Sequence, residues 1–191
     1  KIHAVELRKY NHSCIMGLLG KTSELMAWYG LVAQEYMAAG QEISWLLPDG
    51  FRVIQRLPKM KTKKVMLEKR TVVINYRVPL AEHDGRRNTS AFSPNVTHSM
   101  DATHLSMVVS RIPEGMPFVT IHDSYGMTAP DVVALGEQLI AQEFARLYDT
   151  FDILTAIQED FRSKTGRELP PPPVRGDLLM DDVRQAAYAF A

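Results

Sequence analysis

The chain has a single cysteine, Cys14, in 191 residues. A lone thiol excludes an intramolecular disulfide and any cysteine-based zinc site, and it fits a reducing cytoplasm. No apolar run approaches the roughly 20 residues that a membrane-spanning helix needs, and the opening residues carry no signal-peptide pattern. There is no nucleophile elbow, zinc-ligand spacing or phosphate-binding glycine loop, so a stand-alone α+β domain with hydrolase activity has no motif behind it. Internal repeats are absent too. What is present is a hydrophobic content of 46%, enough for a sizeable core in one domain or in a large piece of something bigger. The first residue is Lys1 rather than Met, which leaves a fragment, a processed chain or one piece of a split protein open; a natural or processed split is the favoured expectation.

The formal net charge is zero, but the charges are unevenly placed. Between Arg52 and Arg87 stand eleven basic residues: Arg52, Arg56, Lys59, Lys61, Lys63, Lys64, Lys69, Arg70, Arg77, Arg86 and Arg87. Only Glu68, Glu82 and Asp84 oppose them, a local net charge of +8 that the remainder balances with −8. Such a block is a common footprint for phosphate backbones, and equally the surface of a solvated hairpin.

Periodicity predicts an α+β chain. Apolar residues spaced by three and four predict a helix over 13–39, stopped by Gly40. A strand over 43–47, a turn at Pro48-Asp49-Gly50 and a return strand over 51–55 follow. Residues 63–67 and 71–78 alternate as two strands of a basic ribbon, and the polar stretch 82–93 reads as a loop. Helices are expected over 95–110, 131–148 and 152–164, a stiff extended stop at Pro170–Pro173, and a terminal helix or turn over 181–190. The expected division is a helical segment 1–40, a basic β-ribbon region 41–92, a region 93–150 around a His-Asp strand, and a C-terminal region 151–191.

The segment Phe118-Val119-Thr120-Ile121-His122-Asp123-Ser124-Tyr125-Gly126 is the most informative. It reads as a short apolar strand ending in His-Asp, followed by a Ser-Tyr-Gly turn. A carboxylate on a rigid strand end suits Mg²⁺, which takes one or two protein carboxylates and completes its shell with phosphates and water. A satisfied His and Asp in a βα turn is the plain alternative.

Several features occur in a fixed order: Met26-Ala27-Trp28, then Trp45-Leu46-Leu47-Pro48-Asp49-Gly50-Phe51, then the basic ribbon. Pro94-Asn95-Val96-Thr97-His98-Ser99-Met100-Asp101-Ala102-Thr103-His104-Leu105 follows, then Ile121-His122-Asp123-Ser124-Tyr125-Gly126, a proline-rich stretch, Arg175-Gly176-Asp177-Leu178 and an aromatic terminus. From about residue 15 onward this order resembles the C-terminal part of the single-subunit, bacteriophage-type DNA-dependent RNA polymerases, relatives of the mitochondrial enzyme. The resemblance implies the palm and fingers portion of a right-hand polymerase. It implies that Asp123 is the second of two palm aspartates holding two Mg²⁺ ions for nucleotidyl transfer, with His122 beside it near the primer end. It also implies that His98 lies near the nascent base pair and senses the ribose 2′-hydroxyl, which an imidazole can meet as donor or acceptor.

Asp101 and His104 read as residues that orient their helix. The ribbon from about 55 to 79 matches the family's specificity loop, which enters the promoter major groove, with Lys61, Lys63, Lys64 and Arg70 as candidate DNA contacts. Tyr188-Ala189-Phe190-Ala191 matches the C-terminal foot, where Phe190 and the carboxylate of Ala191 act structurally near the site. Ser124 and the Ala-Phe-Ala ending look phage-like, so the cytoplasm of an infected bacterium is the expected location rather than a mitochondrion.

The family's first palm aspartate, in an Asp-Gly motif on a strand, is not matched. Asp49-Gly50 lies in a predicted turn and Asp84-Gly85 in a predicted loop, neither with an apolar strand leading into it. Lys21 and, eight residues later, Tyr29-Gly30 imitate the fingers pair that gates the nucleotide, but their helix leads straight into Trp45–Phe51 and Gly17 stands where an Arg belongs, so a packing role is expected. The chain alone should then not polymerise RNA. It should need a second polypeptide supplying the N-terminal, thumb, first palm and fingers-helix parts, along with DNA template or promoter, nascent RNA and NTPs, and no membrane. The competing readings are a non-catalytic DNA-binding module built on the ribbon and a fragment of a family A-type DNA polymerase.

Overall fold

A computed structural model describes residues 2–67, 72–121, 124–132 and 137–186. The expected first helix is two: α1 (Ile2–Leu18) and α2 (Gly20–Ala38), interrupted at Leu19, whose φ of −102° and ψ of 51° are not helical. From His3 onward, α1 exposes every side chain except the half-buried Met16. By contrast α2 buries Trp28, Tyr29, Val32, Ala33 and Tyr36, a single stripe at helical spacing. It ends in a Schellman arrangement: Gln41 N donates to the Tyr36 carbonyl at 2.9 Å and Gly40 N to that of Met37 at 3.0 Å, with Gly40 at a φ of 65°.

Strands β1 (Ile43–Leu46) and β2 (Arg52–Gln55) pair antiparallel, Trp45 opposite Val53. Between them the Asp49 carboxylate accepts from Phe51 N at 3.0 Å, and Gly50 takes a φ of 83° that other residues avoid. A long antiparallel ribbon follows, β3 (Pro58–Leu67) and β4 (Val72–His83), which extends further at its base than the alternation predicts.

The expected loop over 82–93 is instead the end of β4 and the first turns of a 25-residue helix, α3 (Gly85–Val109), with Pro94 inside it. A strand therefore does lead into Asp84-Gly85. The Asp84 carboxylate caps α3, accepting from Arg87 N at 3.0 Å. The helix starts this early because tertiary contacts hold it. Phe92 is fully buried, edge-on to Tyr29 and Trp45 with centroids 5.4 Å from each. Asn88 donates to the carbonyls of Leu57 and Asp84, while Gln55 donates to the Asn88 carbonyl and accepts from Asn95. Trp45 also ties β1 to α3, its Nε1 donating to Ser99 Oγ at 3.0 Å.

Next come the antiparallel pair β5 (Phe118–Ile121) and β6 (Ser124–Met127) and a single helical turn, α4 (Ala129–Asp131). Helices α5 (Glu137–Thr150), α6 (Ile153–Thr165) and α7 (Met180–Gln185) are the last elements of the described residues. Asp152 caps α6 and Gly166, at a φ of 66°, closes it. The proline stretch lies against α2, where Trp28 Nε1 donates to the Pro170 carbonyl at 2.9 Å.

One carboxylate joins four of these elements. The Asp160 side chain on α6 is 6% exposed and accepts from Tyr36 Oη of α2 at 2.8 Å, Ser44 Oγ of β1 at 3.2 Å, Arg52 Nη1 of β2 at 2.5 Å and Lys164 Nζ at 2.7 Å. Burial alone pushes its carboxyl up, but hydrogen bonds from Lys164, Tyr36 and Arg52 outweigh that and hold it below its ordinary value. The stabilisation is thus complete above the unfolded pKa of about 4 and is lost as pH falls through the lower folded value. Asp160→Asn is expected to cost about 3 kcal/mol in urea unfolding at neutral pH. Repeating the titration in acid should find the two proteins converging below a pH of about 4.

Candidate functional site

The β5–β6 pair rests on α3 and α5. Its register sets Phe118 opposite Met127 and Thr120 opposite Tyr125 on one face, and Val119 opposite Gly126 and Ile121 opposite Ser124 on the other. On the inner face, Phe118 and Tyr125 pack on Val108, Leu139, Ile140 and Ile112. On the outer face, Val119 and Ile121 are exposed, and a Cβ at Gly126 would come 2.8 Å from Val119 Cγ1. Ser124-Tyr125-Gly126 is therefore a return strand, not the expected turn. His122 and Asp123 fall in sequence between the two strands and lie outside the described residues, as do Arg70, Phe190 and Ala191. Among the described residues no three His, Cys, Asp or Glu side chains converge on a metal-sized site.

The period of α3 sorts the residues of the Pro-Asn-Val-Thr-His-Ser-Met-Asp-Ala-Thr-His-Leu run. His98 and Asp101 face solvent, whereas Thr103 and His104 are buried. His104 Nε2 donates to the Ile140 carbonyl at 2.9 Å, and its ring stands edge-on to Phe144 at 5.5 Å and Tyr125 at 6.2 Å. It thus joins α3, α5 and β6 at the root of the strand pair. Asp101 acts on Tyr148, whose hydroxyl is pushed up first by burial and then by the Asp101 charge. Lys21 pairs with Glu24 at 3.2 Å on the surface, and Tyr29 is buried against Trp28 and Phe92. Tyr29 also lines a largely apolar cleft of about 600 Å³ between α2, α3 and the segment 175–180.

The ribbon is exposed on both faces, and its register divides the lysines. Lys61 opposite Val78, Lys63 opposite Tyr76 and Val65 opposite Ile74 share one face. Thr62 opposite Arg77, Lys64 opposite Asn75 and Met66 opposite Val73 share the other. Arg77, counted in the basic block but not among the candidate contacts, and Asn75 turn that second face into a row of hydrogen-bonding side chains. Within the basic block, Arg52 pairs with Asp160, Arg56 with Glu42 and Lys59 with Glu82. Lys61, Lys63, Lys64, Arg77, Arg86 and Arg87 have no acidic partner among the described residues.

The sequence profile of DNA-dependent RNA polymerase matches residues 3–171. Over 168 residues, 87% of this chain, the identity is 30% to DNA-directed RNA polymerase 2B, chloroplastic/mitochondrial, of Nicotiana tabacum and 32% to DNA-directed RNA polymerase 2, chloroplastic/mitochondrial, of Arabidopsis thaliana, with 16% of each relative covered. Tobacco DNA-directed RNA polymerase 2A is 30% identical over the same length, with 49% of it covered. The chain belongs to the single-subunit, phage-type DNA-dependent RNA polymerase family. It spans about a sixth of the length of two of these relatives and about half of the third. Among the described residues no helix is long and apolar enough to cross a membrane.

His104→Ala removes a buried hydrogen bond and the ring that joins three elements. It should cost about 2–3 kcal/mol in global stability and speed amide exchange at Tyr125 more than at Trp45. Equal acceleration at both sites would contradict a local anchoring role.

Proposed function

We propose that this chain is the C-terminal palm and fingers part of a phage-type RNA polymerase that extends an RNA 3′ end with NTPs. The observation that carries the reading is the family match, whose span includes both the His98-bearing run and the His122-Asp123 pair. In this reading Asp123 contributes one of two carboxylates, and Mg²⁺ bound there would supply charge stabilisation at the attacking and leaving oxygens. Strands β5 and β6, fixed by His104, Phe118 and Tyr125, give the residues between them a rigid base. The matching first aspartate and gating pair have no counterpart in these residues. Polymerase sequence outside them has to supply both, and a second polypeptide is the arrangement favoured here, in a phage-infected bacterium.

The ribbon is the proposed promoter-reading element. Its Thr62, Lys64, Asn75 and Arg77 face has the side chains that read base edges in the major groove, Arg toward guanine and Asn toward adenine. The opposite face carries Lys61 and Lys63 among Val65, Ile74 and Tyr76, so its two cations would reach the phosphate backbone rather than base edges.

In the assembled enzyme, Asp123→Asn should abolish nucleotide incorporation and leave promoter affinity nearly unchanged; retained incorporation removes Asp123 from the catalytic set. Arg77→Ala should relax promoter discrimination by about 1–3 kcal/mol at one base pair, whereas Val65→Ala should leave it unaltered. Competition binding against single-base promoter variants measures both, and the opposite ranking would turn the ribbon over.

A further inference from the structure

We infer that the exposed face of α3 beginning at Arg86 and Arg87 is a phosphate-backbone track leading from the ribbon's base toward His98. Its ligand class rests on the polymerase reading, but its residues are separate from both the ribbon and the His-Asp pair. Neither guanidinium has an acidic partner among the described residues. The nearest carboxylate in sequence, Asp84, is engaged by the Arg87 backbone N–H, so the chemistry on offer is the guanidinium forks and not the helix amides. Helix stability does not account for them, since a cation in a first turn opposes the helix dipole and α3 has no acid there.

The support beneath them is rigid. Asn88, the next residue, is 2% exposed and binds the carbonyls of Leu57 at the ribbon's base and Asp84. From Arg87 the exposed residues Ser90, Pro94 and His98 recur at helical spacing on one face, and the first acid on that face is Asp101. At the α-helical rise, Arg87 and His98 are about 17 Å apart along the axis, roughly five nucleotides of one strand at its axial repeat. Guanidinium forks match phosphate bidentately, and the Ser90 hydroxyl, which donates to the Arg87 carbonyl at 3.2 Å, ties the turn that carries them. With the ribbon's unpaired cations immediately upstream, the surface fits a polyanion of regular charge spacing better than a single anion.

The test is fluorescence anisotropy of the full chain with a short labelled DNA duplex of arbitrary sequence across a salt series. Arg86→Ala with Arg87→Ala should weaken binding about tenfold at low salt and lower the log–log salt slope by about 2. Arg86→Lys with Arg87→Lys, which keeps the charges, should preserve the slope. An unchanged slope in the alanine variant, or no binding by the parent chain, overturns the track. Neither result bears on nucleotide incorporation. A slope change together with intact incorporation by Asp123→Asn enzyme would retain the track and sink the catalytic assignment alone.

Discussion

Burying the Asp160 carboxylate costs several kcal/mol unless donors surround it, so the elements near it are constrained by the donors they bring. Tyr36 comes from α2, Ser44 and Arg52 from the β1–β2 pair, and Lys164 from the next turn of α6. Meeting these four fixes how the strand pair sits between the helices. Because side chains alternate along β1, turning Ser44 toward Asp160 turns Ile43 and Trp45 the other way. Trp45 then reaches α3, where it meets Phe92 and Ser99. The placement of α3 is in this sense downstream of one satisfied charge.

Helix α3 has two lives along its length. Its buried side carries Asn88, Phe92, Val96, Met100, Thr103, His104 and Val108, a run that joins the main core to the smaller one beneath β5 and β6. Its exposed side carries Arg87, Ser90, His98 and Asp101, polar groups that face solvent. Pro94 is tolerated within it because the contacts on either side, Asn88 to the ribbon's base and Trp45 to Ser99, hold the helix independently of the backbone bond that proline lacks. A single rigid element thereby links the ribbon to the root of the His-Asp strand pair.

The ribbon itself has no core of its own, and two strands exposed on both faces are marginal in water. It is held at its base, by Lys59 with Glu82 and by the side-chain amide hydrogen bonds of Gln55 and Asn88, while Lys61, Lys63, Lys64 and Arg77 have no acidic partner among the described residues. Such an arrangement sacrifices local stability for a projecting charged surface.

Much of the fold was legible in the chain because local chemistry dictated it. Asp152 and Gly166 bound α6, Pro48-Asp49-Gly50 makes the turn between β1 and β2, and alternation marks the ribbon. The motif order identified the family, since those residues answer to chemistry that varies little with context. The start of α3 was hidden, because Gly85-Arg86-Arg87-Asn88-Thr89-Ser90 has weak helix propensity and is helical only through Phe92 and Asn88. So was the return strand at Ser124, which the partner strand defines rather than its own composition. The basic block as a whole could be counted from the sequence, but its division into paired and free cations could not. Arg52 and Arg56 find their acids at Asp160 and Glu42, and only the folded chain brings those charges within reach of each other.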